Sequence, residues 1–163
     1  MTGGALVALA VGTQFSDLVD KPLAWTFGVL PYGRTLAHSL LIVVPLAALV
    51  MFLGQHYGKS RFGVAFTIGM VLHIFSDGLY ATVEGEFADL RYLLWPVYLA
   101  PGYDTEQSFI VHFANLSLSS AVTFEFVLVG AAAVLWWLDG RPGVALIRTT
   151  AKRWLGMLRP ASE

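Results

Sequence analysis

The sequence predicts an all-α protein: a polytopic membrane helical bundle of about four transmembrane helices, with an outer interfacial segment and a basic amphipathic C-terminal tail. Three observations predict it. Of 163 residues, 56% are hydrophobic and only 13% charged, where an ordinary soluble domain carries roughly 25% charged residues. The mean hydropathy is +0.67. The apolar residues are gathered into runs bounded by charge, Gly or Pro, several of them near the ~20 residues a helix needs to cross ~30 Å of hydrocarbon. We expect one membrane-embedded domain over residues 1–138 and a cytoplasmic interfacial tail over 139–163.

The elements follow in order. Gly3 to Phe15 is apolar but short for a span, and Ser16-Asp17-Leu18-Val19-Asp20-Lys21-Pro22 reads as its stop. Pro31-Tyr32-Gly33-Arg34 is a turn signal. Leu36 to Leu53 forms the second span, with Pro45 inside it, and Gly54 to Arg61 a short polar loop. Phe62 to Phe75, extended by Ser76 and Leu79, is the third span and carries His73 and Asp77 near its end. Residues 78–107 are a long connection whose centre, Tyr92 to Leu99, is aromatic at both ends and too short to span, so it is expected at the membrane surface. Ser108 to Leu138 is the last and longest apolar run. Gly12, Gly63 and Gly69 are placed to let helices pack closely.

The absence of Cys excludes disulfides, thiolate nucleophiles and Cys-ligated metals. A net charge of −1 gives no sign of nucleic acid; the expected partners are membrane lipids or a lipid-linked substrate. Lys and Arg in short loops stay cytoplasmic. Lys59, Arg61, Arg141, Arg148, Lys152, Arg153 and Arg159 face two acids, Asp139 and Glu163, on one side. The other side sets Lys21, Arg34 and Arg91 against Asp17, Asp20, Asp77, Glu84, Glu86, Asp89, Asp104 and Glu106. This imbalance orients both termini to the cytoplasm in a cell (inner) membrane.

With that topology Asp17, Asp20, His38, His73 and Asp77 meet at the outer face, and His112, about one turn into the last span, comes close to it. Only His56 lies in the opposite loop. His73 and Asp77 are i and i+4, and Asp17 and Asp20 are i and i+3, so each pair projects from one helical face. Imidazole and carboxylate suit zinc, manganese or iron(II), and three protein ligands leave a position for water. Such water is deprotonated near neutral pH and attacks ester or phosphoryl centres, a spare carboxylate acting as general base. The bland alternative is interhelical hydrogen bonding and headgroup contact.

The order Asp17-x-x-Asp20, Arg34-Thr35-Leu36-Ala37-His38-Ser39-Leu40 and Gly69-x-x-x-His73-x-x-x-Asp77 resembles the YdjM-like family of membrane-bound proteins assigned as metal-dependent hydrolases. The likeness covers about Val11 to Tyr80. It implies a small helical membrane protein with a His/Asp metal site. Family members often carry a further N-terminal segment with a His before the paired Asp, a position this sequence does not include. By position the resemblance implies His38, His73, Asp77 and Asp20 as ligands, with Asp17 and Asp20 as catalytic carboxylates. His112 joins the expected ligands by its place near the face. The expected metal is zinc, with manganese or iron as alternatives.

Arg34 either holds a phosphate or carboxylate of the substrate or anchors the chain to headgroups. Ser39 is expected to pack or to orient a ligand. Glu125, deep in the last span, is either an interhelical hydrogen-bond partner or part of an ion path. The tail alternates Leu146, Ile147, Trp154, Leu155 and Leu158 with basic residues, which suits an anionic leaflet or a cytoplasmic partner. The function expected is a metal-dependent hydrolase of a lipid or lipid-linked ester or phosphoester at the extracytoplasmic face. The rivals are a non-enzymatic ion-binding or scaffold protein and a metal-free lipid phosphatase with a His nucleophile. The last asks for Ser-Arg upstream of the His, where Phe66 and Thr67 stand.

Overall fold

The computed structural model describes residues 3–99, 108, 110 and 120–157. Their regular structure is entirely helical, with no strand among them. Helix α1 is Gly3–Lys21, continued by one π-type turn over Pro22–Thr26; α2 is Leu40–His56 and α3 is Ser60–Glu84. A 3-10 segment covers Phe87–Leu94, and α4, Ser120–Leu138, precedes α5, Val144–Met157. The chain divides into two compact units, Ala8–Leu116 and a second comprising Met1–Val7 with Ser117–Glu163.

In the first unit the expected stop after Phe15 is overrun. The helix continues to Lys21 because the charges that read as a break are partnered on it: Lys21 Nζ lies 2.6 Å from Asp17 Oδ2, an i, i+4 pair. It unwinds at Pro22, which lacks an N–H, and Phe27 N–H closes the wider turn on the Pro22 carbonyl at 3.0 Å. Helix α2 begins at Leu40 rather than Leu36. Ser39, in extended conformation (φ −75°, ψ 129°), accepts from Leu41 N–H at 3.2 Å and caps it.

Helix α3 is the one described helix long and apolar enough to cross a membrane. Its 25 residues reach ~37 Å at ~1.5 Å per residue. Leu40–His56 and Val122–Leu138 are shorter apolar helices. Val43, Ala47, Met70 and Ile74 form the core between α2 and α3, with Phe15, Leu46, Phe66 and Leu93 packed on it. Val44, Phe52 and Phe75 point outward and are exposed.

Two glycines set how α1 meets α3. A Cβ on Gly12 would run into the Phe66 carbonyl, and one on Gly69 into the Leu9 carbonyl and the Thr13 nitrogen. The helices therefore touch backbone to backbone, as the small-residue positions predict. Gly63 plays the same part against Val50 of α2.

The segment after α3 departs from expectation. Tyr92, expected at the membrane surface, is 1% exposed; the 3-10 segment folds back onto α2 and α3. Ser39 Oγ donates to the Trp95 carbonyl at 2.6 Å, which fastens the segment beside the N-terminus of α2. Val97, Tyr98 and Leu99 beyond it are exposed.

In the second unit α4 is apolar apart from a few residues such as Glu125 and leads through a tight corner into α5. Gly140 and Gly143 have φ of 80° and 93° there, a conformation glycine adopts without steric cost.

Candidate metal centre

The site is built from α1, the turn before α2, and α3. Past the Gly12–Gly69 contact the two helices carry Asp17 and His73, one turn or slightly more along each chain, toward each other. The turn of residues 34–38 is organised by Asp20. This carboxylate is fully buried and accepts from Thr35 N–H, Ala37 N–H and the His38 imidazole, each at 2.8 Å. Ser16 Oγ donates to the Ala37 carbonyl at 2.7 Å and tightens the same turn.

Asp20 thereby sets the His38 ring. With Nδ1 hydrogen-bonded to a carboxylate, the proton belongs there in the neutral imidazole and Nε2 is left as the ligand atom. Nε2 of His38 lies 3.3 Å from Nε2 of His73, 3.6 Å from Asp17 Oδ1 and 3.4 Å from Asp77 Oδ2. His73 Nε2 lies 3.8 Å from Asp17 Oδ1 and 3.9 Å from Asp77 Oδ2. Asp17, His38 and His73 form a group whose ligand atoms all lie close enough to hold one metal ion.

The donor set fits a metal. A tetrahedral shell with bonds of ~2.0–2.2 Å separates neighbouring ligand atoms by ~3.3–3.6 Å, the lower part of the range found among these atoms. Asp17 uses its oxygens separately: Oδ2 receives Lys21 and Oδ1 faces the two histidines. Asp77 Oδ2 also lies 3.1 Å from Arg34 Nε. His38 is fully buried, while Asp17, His73, Asp77 and Arg34 are partly open.

Electrostatics favour a cation here. Burial disfavours the imidazolium of His38, but the facing carboxylates of Asp17, Asp20 and Asp77 outweigh it and push its pKa up to about 10. The three carboxylates are opposed by Lys21 and Arg34, which leaves a deficit of one positive charge. A proton on His38 balances it without metal, and a divalent cation in its place leaves an excess able to bind an anion.

Of the residues expected at the site, Asp17, His38, His73, Asp77 and Arg34 come together. Asp17, expected as a catalytic carboxylate, stands among the ligand atoms. Asp20, expected as ligand and catalytic carboxylate, is one hydrogen bond behind, with both oxygens engaged by the turn and the His38 ring. His112 lies outside the described residues. Two further residues border the site. Lys21 was signalled by its i, i+4 spacing from Asp17. Tyr92, whose ring stands edge-on to His38 at 6.2 Å between centroids, had no local signal. Glu125 is exposed on α4 in the other unit.

The chain is helical, with a His/Asp group that could hold a metal ion and a span-length apolar helix supplying part of it. The sequence model of the family described as YdjM inner membrane protein matches residues 2–147, and the chain belongs to that family. No curated protein and no solved structure matches it.

Proposed function

We propose that this protein is a metal-dependent hydrolase of a lipid or lipid-linked ester or phosphoester, working at the extracytoplasmic face of the inner membrane. The observation that carries the proposal is the set of imidazole nitrogens and carboxylate oxygens, from three separate segments, spaced 3.3–3.9 Å around one point. Ionisable groups gathered in an apolar chain are costly, and function is the usual reason for keeping them.

Asp17, His38 and His73 would hold the ion, with zinc the best match to two imidazoles and a carboxylate and manganese or iron(II) the alternatives. When bound, the ion supplies a water acidic enough to act as a nucleophile near neutral pH. Asp77, beside both histidines, is the carboxylate placed to take the water's proton. Arg34 binds an oxyanion of the substrate with the outer edge of its guanidinium. Asp20 fixes the His38 tautomer and touches no substrate.

The segment that carries Arg34 and His38 also bears Phe27 and Val29, 69% and 68% exposed. This combination suits a substrate with a polar head and an apolar body. The remaining spans are assigned to α1, α2 and the run ending in α4, with both termini cytoplasmic by the distribution of Lys and Arg.

Metal analysis of detergent-purified protein tests the proposal, with hydrolysis of phospholipid and lipid-phosphate esters measured before and after chelation. We expect about one equivalent of transition metal, lost together with activity in His73→Ala. A folded variant that is metal-free and equally active would remove the metal from the mechanism. Ion flux in proteoliposomes, abolished by Glu125→Gln and untouched by His73→Ala, would favour the non-enzymatic reading instead.

A further inference from the structure

We propose that α5 lies in the headgroup layer of an anionic leaflet and holds the second unit of the chain to the membrane surface. At ~100° per residue, Val144, Ile147, Ala151, Trp154 and Leu155 share one arc of the helix. All are exposed, Ile147, Trp154 and Leu155 by about 60%. Fourteen residues span ~21 Å, too short to cross a bilayer.

The charge says what covers this face. Arg148 and Lys152 run along one border of the apolar arc and Arg153 stands on the opposite face, with no Asp or Glu between Val144 and Met157. Cations bordering an apolar strip keep their heads at the water boundary while their stems cover hydrocarbon. Each basic residue near an anionic surface strengthens attachment. An anionic leaflet takes the apolar arc and pairs these cations together, as would only a protein groove with an acidic rim, the alternative that adding a cell extract detects.

The corner before α5 sets its depth. Trp136 Nε1 donates to the Pro142 carbonyl at 3.1 Å, and the Arg141 guanidinium stands over the Trp137 ring at 4.5 Å. Paired tryptophans at the end of an apolar helix belong at the headgroup level. Only residues 139–143 separate α4 from α5, so α5 starts at that level.

The chain contains no Cys, so single cysteines report without a background. The full-length protein carrying Ile147→Cys, Leu155→Cys or Thr149→Cys is labelled with a polarity-sensitive dye. Each is reconstituted in vesicles of phosphatidylcholine alone or mixed with phosphatidylglycerol. We expect labels at 147 and 155 to be quenched several-fold less by an aqueous quencher than the label at 149, most strongly in the anionic vesicles. Replacing Arg148, Lys152 and Arg153 with Gln should return quenching at 147 and 155 to the level seen in phosphatidylcholine. Equal quenching at all three positions in anionic vesicles overturns the proposal. So does protection that appears only on adding a soluble cell extract, which would mark a protein partner.

Discussion

The Nε2 atoms of His38 and His73 face each other at 3.3 Å, although the two residues come from a turn and a helix 35 positions apart. Two imidazole nitrogens tolerate such an approach when a proton lies between them or when both donate to one cation. Asp20 claims the Nδ1 side of His38, so His38 Nε2 is the atom that would be offered to a metal ion.

Removing the ligands and removing their support should differ. His38→Ala and His73→Ala should abolish stoichiometric metal binding. Asp20→Asn keeps one oxygen acceptor but frees the His38 tautomer, and should weaken metal affinity by roughly 10–100-fold. Competition titrations against a chelating dye measure all three, and unchanged affinity in Asp20→Asn would mean that His38 is oriented by something else.

Metal binding should strengthen as pH rises. The proton on His38, whose pKa is pushed up to about 10, competes with the ion, so apparent affinity should increase by up to ~10-fold per pH unit until the pH reaches about 10. The metal-free protein should behave in the opposite sense. A raised folded-state pKa means the native state binds more protons than the unfolded state, so His38 contributes its full stability below pH ~6.5 and loses it as pH rises through about 10. Melting temperatures of metal-free wild type and His38→Gln across this range report the effect as a slope present in the first and reduced in the second.

Arg34→Gln should leave metal content unchanged and lower turnover of an anionic ester by roughly a hundredfold, the usual loss when a charge-stabilising donor is removed. Arg34→Lys should recover part of it, since the charge returns without the planar fork. A fall in metal content instead would assign Arg34 to holding Asp77 in place.

Gly69→Ala should force α1 from α3, because the new methyl meets the backbone of Leu9 and Thr13, which cannot turn aside as a side chain can. We expect destabilisation of ~1–3 kcal/mol or more, with weaker metal binding because Asp17 moves with α1. Gly130→Ala on α4, where none of the described residues lies near the added methyl, is the control and should bind metal as wild type does.

Much of the site was legible because its signals are local. His73 and Asp77 share a helical face by spacing alone, and Gly12 and Gly69 mark a close contact by their size. The turn from Thr35 to His38 was not legible in the same way. Its geometry comes from backbone N–H groups closing on a buried carboxylate fifteen and more residues earlier, which no periodicity announces. Asp20 looked like a ligand because a carboxylate that accepts from amides and one that binds metal have the same letter. Tyr92 misled in a related manner: an aromatic residue in a short apolar stretch suits the bilayer surface and the inside of a bundle equally. The run from Asp17 to Lys21 reads as a helix stop only while its charges are imagined unpaired.

The meeting of α1 and α3 through Gly12 and Gly69 is also what brings Asp17 beside His73. Asp17 and His38 leave the ribosome well before His73, and neither can capture an ion tightly by itself. In the proposed metal-bound state a cation would act as a clasp, closed only once α3 has brought His73 beside Asp17 and His38.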